Sequence, residues 1–400
     1  LLAGIVGILI PLQMASQTWD DHDRSGRMVC HDMGQNYLYT LQEKGNPVLF
    51  VNGDNETFPL WYSTEVENIR TDTRVCNLMY LSGGWYADQM KRPAYSSPGL
   101  PFSIPRAYYR DGVNDAVSVN PVVGQDENGT AIRLKEQIET FYREHPDENP
   151  FGEDPWEWKN IVRHWLTSDK ADLRCIPTDE IHIPVDKEAV CRSGMLIPEG
   201  TEIPDTMIIR LKGRGYLTRS SLMLIDLISS CNWERPLYVA STMRIEEYLD
   251  ISRNLVQEGL AQRIVPYDAV AAGAAIDTDK TYRNLMEKFR YGGLDDPDLY
   301  LDETNIRMVL SLRRIMTETA ECLYQQGDTL RARRLLDRCC QEIRNPAVHR
   351  QIWLLRPDRH TLPAAGRNFH GNQALDGLVY RPDPICRLVS HPVTGTAAGL

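Results

Sequence analysis

The pattern of apolar and polar residues changes most abruptly at the start of the chain. Residues 1–10 are almost entirely apolar, and the run is interrupted at Pro11 and Gln13 before charge begins at Asp20. A bilayer span needs roughly 20 apolar residues, so this run has the length of a partial span. We expect residues 1–17 to be the end of a transmembrane helix; a buried core helix is the alternative. Since the chain opens at Leu1, without Met or a basic segment, we also expect it to be part of a longer protein.

Short apolar runs separated by helical patterns follow this segment. Residues 25–42 carry apolar side chains at helical spacing, and residues 58–68 form a second predicted helix between two apolar runs at 48–51 and 74–81. Continuous apolar strands are typical of sheets covered on both faces, and a helical crossover joins parallel neighbours. The pattern therefore predicts an α/β fold with a parallel, Rossmann-like sheet.

The same strand, helix and strand order recurs further along, at residues 207–211, 220–231 and 236–240, and we expect the sheet to resume there. Between the two occurrences, residues 91–128 are rich in Pro, Gly and Tyr and show little periodicity. Two amphipathic helices are predicted after this segment, at 131–145 and 156–168. We assign residues 18–300 to one α/β domain with an irregular insertion at about 91–128.

The last helical pattern runs from residue 302 to 344 and breaks at Gln326-Gly327-Asp328. Glycine permits a left-handed helix end and aspartate caps the next helix, so a helical hairpin is predicted. Its small residues fall at tetratricopeptide offsets, which makes 301–345 tetratricopeptide-like, although a lone hairpin is the alternative. Residues 346–400 contain neither Lys nor Glu and no periodicity, and we expect a poorly structured or atypical tail.

Composition and charge narrow the possible classes of protein. The chain is 42% hydrophobic and 25% charged, as in ordinary globular proteins, and its net charge of -11 disfavours a nucleic-acid partner. Nine cysteines form no C-x-x-C pair, which gives zinc ribbons and thioredoxin-type chemistry no support. Cys175 and Cys191 are the one pair we would test for a disulfide.

The first candidate site is acidic and follows the apolar run directly. Asp20, Asp21, His22 and Asp23 place three carboxylates and an imidazole in four consecutive positions. Oxygen and imidazole ligands suit divalent cations, so these residues are a candidate metal or sugar-hydroxyl site. The alternative is a solvated helix start capped by Asp23 or Ser25.

The second candidate site follows the first predicted strand. Ligands of open α/β sheets bind at the carboxyl ends of the strands, and Asn52, Asp54, Asn55 and Glu56 lie there. A helix cap by Asp54 or Asn55 is the alternative.

Flat aromatic side chains follow each of the two predicted strands. Trp61, Tyr62, Trp85 and Tyr86 offer amphipathic faces to a sugar or peptide, although such residues are more often core. A nucleophile elbow, a phosphate-binding loop or a dinucleotide fingerprint does not stand out, so classical hydrolases and nucleotide-cofactor enzymes are disfavoured.

Several longer segments resemble one family. They occur in the family's order across about residues 5–345, at Trp19–Ser25, Asn52–Tyr62, Ile69–Val75, Trp85–Met90, Tyr216–Arg219, Asn232–Pro236 and Tyr300–Met308. The family comprises large bacterial multi-pass membrane proteins described as protein O-mannosyltransferase-like, of glycosyltransferase superfamily C type.

This resemblance implies an inner-membrane protein that moves sugar from a lipid-linked donor to Ser or Thr of exported proteins. It also implies that the catalytic carboxylate lies near the first membrane helices, so no catalytic residue is carried over to this chain. We expect a periplasmic region that positions acceptor protein or glycan and has no certain cofactor, a divalent metal being the candidate. The alternatives are a metal-dependent hydrolase using both acidic groups and a purely structural interaction module.

Overall fold

The chain is a mixed α/β protein that divides into two compact units. The computed structural model describes residues 2–24, 26–152, 154–211, 213–346 and 348. The first unit comprises Leu1–Asn36 with Thr278–Leu400, and the second comprises Tyr37–Asp277.

The helices and strands are mostly short. The helices are α1 Leu2–His22, α2 Val29–Thr40, α3 Asp54–Trp61, α4 Gly84–Met90, α5 Leu134–Glu144, α6 Trp158–Ile161, α7 Lys187–Arg192, α8 Arg219–Ser230, α9 Thr278–Arg283, α10 Glu303–Gln325 and α11 Thr329–Glu342. The strands are β1 Val48–Val51, β2 Arg74–Asn77, β3 Ala116–Ser118, β4 Val122–Gln125, β5 Ala131–Arg133, β6 Glu180–Pro184, β7 Thr206–Arg210, β8 Tyr216–Thr218, β9 Leu237–Ala240, β10 Leu255–Gln257 and β11 Ala261–Ile264.

A five-stranded sheet forms the centre of the second unit, in the order β10-β11-β9-β1-β2. β1 pairs in parallel with β2 and with β9, while β11 and β10 add antiparallel pairs. Every residue of β1, β2 and β9 is buried. The apolar sequences of β1 and β9 are typical of strands covered on both faces, whereas β2 also buries the polar Arg74 and Asn77. The predicted parallel pair is therefore confirmed, within a sheet that is mixed overall.

Several predicted element boundaries are shifted. The helix expected at 58–68 begins earlier, at Asp54, and continues as one π-helical turn at Tyr62–Val66. The strand expected at 74–81 ends at Asn77, and Tyr80–Ser82 form a 3₁₀ turn.

The prediction that residues 207–211 return to the main sheet is wrong. β7 instead pairs antiparallel with β6 in a separate two-stranded sheet. A strand, helix and strand pattern does not specify which partner each strand finds, and the earlier strand β6 provides the partner here. The predicted insertion at 91–128 is irregular apart from one 3₁₀ turn, β3 and β4, and β3 pairs with β8.

The first unit contains the predicted helical hairpin. α10 and α11 are separated by Gln326, Gly327 and Asp328; Gly327 has a φ of +86°, and Asp328 accepts a hydrogen bond from Arg331 N at 3.0 Å. The expected helix break is thus confirmed. Tetratricopeptide-like packing stays a prediction, and the predicted tail falls outside the described residues, apart from positions 346 and 348.

The N-terminal helix α1 has an apolar surface. Apolar side chains of α1 are exposed around the helix, with Ile8 64% and Leu12 60% accessible. In the described part of the chain, no helix meets the length and apolarity that a bilayer crossing requires.

Cys175 and Cys191 are free thiols, so the one disulfide that the sequence suggested does not form.

Candidate functional site

The loop after β1 leads directly into α3. Asn52 Oδ1 accepts a hydrogen bond from the Tyr248 hydroxyl at 2.5 Å, and burial raises the pKa of this phenol, which keeps it a donor. Gly53 is the N-cap of α3 and makes no side-chain capping bond. The alternative in which Asp54 or Asn55 caps the helix is therefore not formed. Both residues lie in the first turn with exposed side chains.

Asn77, the last residue of β2, ties the two strand ends together. Its Nδ2 donates to Thr57 Oγ1 at 2.9 Å, while its Oδ1 accepts from the backbone nitrogens of Met79 and Tyr80 at 2.8 and 3.2 Å. The Tyr80 hydroxyl then donates to Asp54 Oδ1 at 3.5 Å. The polar residues after β1 and the aromatic residues after β2 consequently share one edge, which is what parallel pairing requires.

Four aromatic rings form a continuous row along this edge, which we call the aromatic band. Its members are Phe58, Trp61, Tyr80 and Trp85. The ring centroids are 5.9 Å apart from Phe58 to Trp61, 6.1 Å from Trp61 to Tyr80 and 6.5 Å from Tyr80 to Trp85. Phe58 is 52% and Trp85 59% exposed to solvent. Exposed apolar patches rimmed by polar groups mark interaction sites on soluble surfaces.

The sequence located part of this band. Trp61 and Trp85 belong to it, and Tyr62 is exposed beside Trp61 in the sequence. Phe58 and Tyr80 were missed as site residues, because Phe58 was assigned to a helix and Tyr80 to the second strand. The available signal was their aromatic character close to predicted site positions: Phe58 lies two residues after Glu56, and Tyr80 lies five residues before Trp85.

Tyr86 is not a ligand-facing residue of the aromatic band. Its side chain is buried, its hydroxyl accepts from Asn77 N at 3.1 Å, and it donates to Val75 O at 3.5 Å. β2 is an edge strand of the sheet, so this phenol occupies backbone groups that a further strand would otherwise pair. Tyr86 is therefore a core residue that blocks the free edge of β2.

The N-terminal acidic residues lie in a different setting from the one expected. α1 extends to His22, so these residues fall at a helix end, and the capped helix start offered as the alternative is not there. The side chains of His22 and Asp23 are exposed, and those of Asp20 and Asp21 lie outside the description. Over the described residues, no group of three or more His, Cys, Asp or Glu side chains is placed to hold a metal ion. The metal site and the hydrolase alternative gain no support from this part of the chain.

Glu56 and the other polar residues after β1 are brought together with the aromatic band within the second unit. The N-terminal acidic residues belong to the first unit, so the meeting of both acidic groups that the hydrolase alternative requires stays a prediction. The resulting arrangement at the sheet edge combines flat apolar rings with exposed carboxylate and amide groups. That combination suits a ligand with an apolar face and several hydroxyl or amide groups.

Comparison with known proteins yields one family. The family model described as TMEM260-associated domain 2 matches residues 30–281, which is more than half of the chain and includes the whole sheet edge. Neither the curated proteins nor the solved structures contain a match to the chain.

Proposed function

The chain belongs to the family described as TMEM260-associated domain 2, and we propose that it holds acceptor protein or glycan for a membrane-bound protein O-glycosyltransferase. TMEM260 is an O-mannosyltransferase-like protein, so membership associates this domain with a glycosyltransferase-related membrane protein. The motif resemblance to protein O-mannosyltransferase-like proteins points to the same activity. In this proposal the domain is an accessory part and the sugar transfer occurs elsewhere in the parent protein.

The aromatic band is the observation that carries the proposal. Pyranose rings present apolar C–H faces that pack on aromatic rings, while their hydroxyls bond to carboxylates and amides. Trp61 and Trp85 supply such faces, while Asp54 and Asn55 supply exposed polar groups and Glu56 a half-buried one at the same sheet edge. A glycosylated Ser or Thr peptide offers both kinds of surface.

The proposal also gives the chain a place in the cell. We assign α1 to the end of a membrane-spanning helix and the region that follows it to the periplasmic side of the inner membrane. The exposed apolar side chains along α1 support this assignment, because such a surface is costly in water and favourable in lipid. An acceptor arriving after export would then meet the aromatic band on the same side as the lipid-linked donor.

The test replaces exposed residues of the edge in the full-length parent protein. Trp85→Ala and Asp54→Ala should each lower O-glycosylation of exported proteins at least about tenfold, since they remove the stacking face and a hydroxyl partner. Intact-mass spectrometry of secreted acceptors measures the effect. Tyr216→Ala is the matched control, because Tyr216 is 62% exposed on β8 and lies outside the aromatic band.

Protein abundance is measured in parallel by immunoblotting. Normal glycosylation by both edge variants at normal abundance would contradict the proposal and favour a purely structural module. A loss with the Tyr216→Ala control as well would show that the assay reports folding and not recognition.

A further inference from the structure

A pocket lies beside the edge strand β2, separate from the loop that follows β1. Its volume is about 450 Å³, and we call it the Trp61 pocket because Trp61 belongs both to its wall and to the aromatic band. Small-molecule sites occupy about 300–1,000 Å³ and combine aromatic walls with a few convergent polar groups. Tyr86 and Tyr95 provide two more rings of this wall, and Thr73 and Gln89 provide polar groups.

Arg74 is a buried cation in the wall of the pocket. Its side chain is 5% exposed, and Nη2 donates to the carbonyl oxygens of Gln89, Met90 and Arg92 at 3.0, 3.3 and 2.6 Å. Across the described residues it makes no ion pair with a carboxylate, and its Nε has no hydrogen-bond partner. Burial lowers the pKa of this guanidinium. A buried charge is costly unless an opposite charge compensates it, so the wall has unused capacity for an anion.

The neighbouring side chains add to this capacity. Thr73 is 6% exposed, and its Oγ1 has no hydrogen-bond partner. Arg92 is exposed and also lines the pocket. Glu65 is the carboxylate of the lining, and it already accepts a hydrogen bond from the Tyr95 hydroxyl. The charge of Glu65 also favours the charged form of Arg74, so the lining holds two arginines against one glutamate and has one positive charge in excess.

We propose that the Trp61 pocket binds an acidic sugar of the hexuronate class. The carboxylate of the sugar compensates Arg74 and Arg92, its ring packs against Trp61 and Tyr95, and its hydroxyls bond to Thr73. A simple carboxylate would leave the aromatic walls unused, and a neutral sugar would leave the excess positive charge of the two arginines without a partner. This inference goes beyond the proposed acceptor-holding role, because Asp54 and Trp85, on which that role is tested, are not lining residues.

Calorimetric titration of the whole 400-residue chain tests the ligand class. The probes are methyl β-glucuronide and methyl β-glucoside, which differ only in a carboxylate or a hydroxymethyl group on the ring. We expect the glucuronide to bind at least about tenfold more tightly than the glucoside. Equal affinities would overturn the acidic class, and absence of binding by the glucuronide would overturn the site.

Variants then assign the binding to this pocket. Thr73→Val keeps the side-chain shape and removes the unpaired hydroxyl, so the free energy of unfolding should hold or rise while glucuronide affinity falls about tenfold. Ser63→Ala is the matched control, because Ser63 Oγ is also buried without a partner but is not part of the lining. Unchanged affinity in Thr73→Val, or the same loss in both variants, would reject the assignment.

A second variant probes the charge without disturbing the backbone carbonyls that Arg74 binds. Arg92→Gln should weaken glucuronide binding several-fold, because an exposed cation on the wall is lost. Arg143→Gln, at an exposed position of α5 outside the lining, is the control and should leave the affinity unchanged. Equal affinities of Arg92→Gln and wild type would overturn the carboxylate orientation.

Discussion

Buried or half-buried arginines hold several backbone segments of the second unit in place. Arg70 donates to the carbonyl oxygens of Leu38, Leu41 and Gln42 at 3.1, 3.2 and 2.7 Å, just beyond α2 and within its last turn. Arg235 likewise donates to Asn46 O at 2.7 Å. Each of these arginines lies in a segment that carried the family resemblance. These hydrogen bonds give the two arginines a structural role in the fold. The exposed residues of the sheet edge are therefore the better candidates for recognition of a ligand.

Asp226 is a second residue that organises the fold from a buried position. It is fully buried in α8, and its carboxylate accepts hydrogen bonds from Ser103 N at 2.6 Å, Ile104 N at 3.3 Å and Trp158 Nε1 at 2.9 Å. The Ser103 hydroxyl donates to the same group. One carboxylate therefore connects the irregular insertion, α6 and α8.

Replacing Asp226 by Asn should lower the free energy of unfolding by about 2 kcal/mol, because the amide nitrogen then meets donors instead of accepting from them. Burial raises the pKa of the Asp226 carboxyl, so the folded state takes up its proton at a higher pH than the unfolded chain. As the pH falls from neutral toward the ordinary aspartate pKa of about 3.9, the protonation of Asp226 increases the free energy of unfolding of the wild type. The stability difference from Asp226→Asn should accordingly grow as the pH falls.

Urea unfolding of wild type and Asp226→Asn at several pH values measures this difference, and subtraction removes the titrations that the two proteins share. A difference that shrinks on acidification would show that Asp226 is held as a low-pKa carboxylate.

At the scale of the element, the helical hairpin shows how few residues set a chain reversal. Asp328 caps α11 by accepting a hydrogen bond from Arg331 N, which satisfies one of the free backbone donors at the start of the helix. Backbone and side-chain bonds from Arg331 hold the pKa of the Asp328 carboxyl below its ordinary value. This contribution is complete above the ordinary aspartate pKa and is lost as the pH falls through the lowered value.

Gly327→Ala should destabilise the hairpin by about 1 kcal/mol, because Gly327 has a φ of +86° and a Cβ is disfavoured in the left-handed region. Thermal unfolding followed by far-ultraviolet circular dichroism measures the change. Gly124→Ala is the control: its φ lies outside the left-handed region and an added Cβ would meet no atom within 4 Å. Equal melting temperatures for Gly327→Ala and wild type would refute the conformational argument.

On the scale of the whole molecule, the chain is acidic, but its N-terminal helix α1 exposes large apolar side chains. The net charge is -11, whereas Ile8, Leu9 and Leu12 of α1 are 57–64% exposed. The charge opposes binding to anionic lipid, so any membrane attachment depends on apolar burial.

The whole chain should therefore co-sediment with neutral phosphatidylcholine vesicles. The double change Ile8→Lys and Leu12→Lys should release it, because two lysines one turn apart on α1 remove apolar area and must be desolvated. Gln13→Lys with Gln17→Lys gives the same spacing and added charge on exposed polar positions of α1. The membrane assignment fails if both pairs release the chain equally or if wild type stays in the supernatant.

The candidate site was predictable in part because a strand end and its following polar residues are adjacent in the chain. Asn52, Asp54, Asn55 and Glu56 could be named for that reason. The aromatic band could not be completed in the same way. Tyr80 reaches Trp61 through parallel pairing of β1 with β2, and Tyr248 reaches Asn52 across nearly 200 residues of sequence.

The sequence by itself determined the local features: the buried parallel pair, the irregular insertion and the helix break at Gly327, all of which follow from apolar runs and backbone preferences. Tertiary structure alone decided that β7 pairs with β6, that Tyr86 closes the sheet edge, and that Arg74 lies beside the Trp61 pocket with no carboxylate partner in the described chain. The reason is physical. Periodicity reports which face of an element is buried, whereas a partner, a buried charge and a cavity depend on segments that are distant in sequence and meet only when the chain folds.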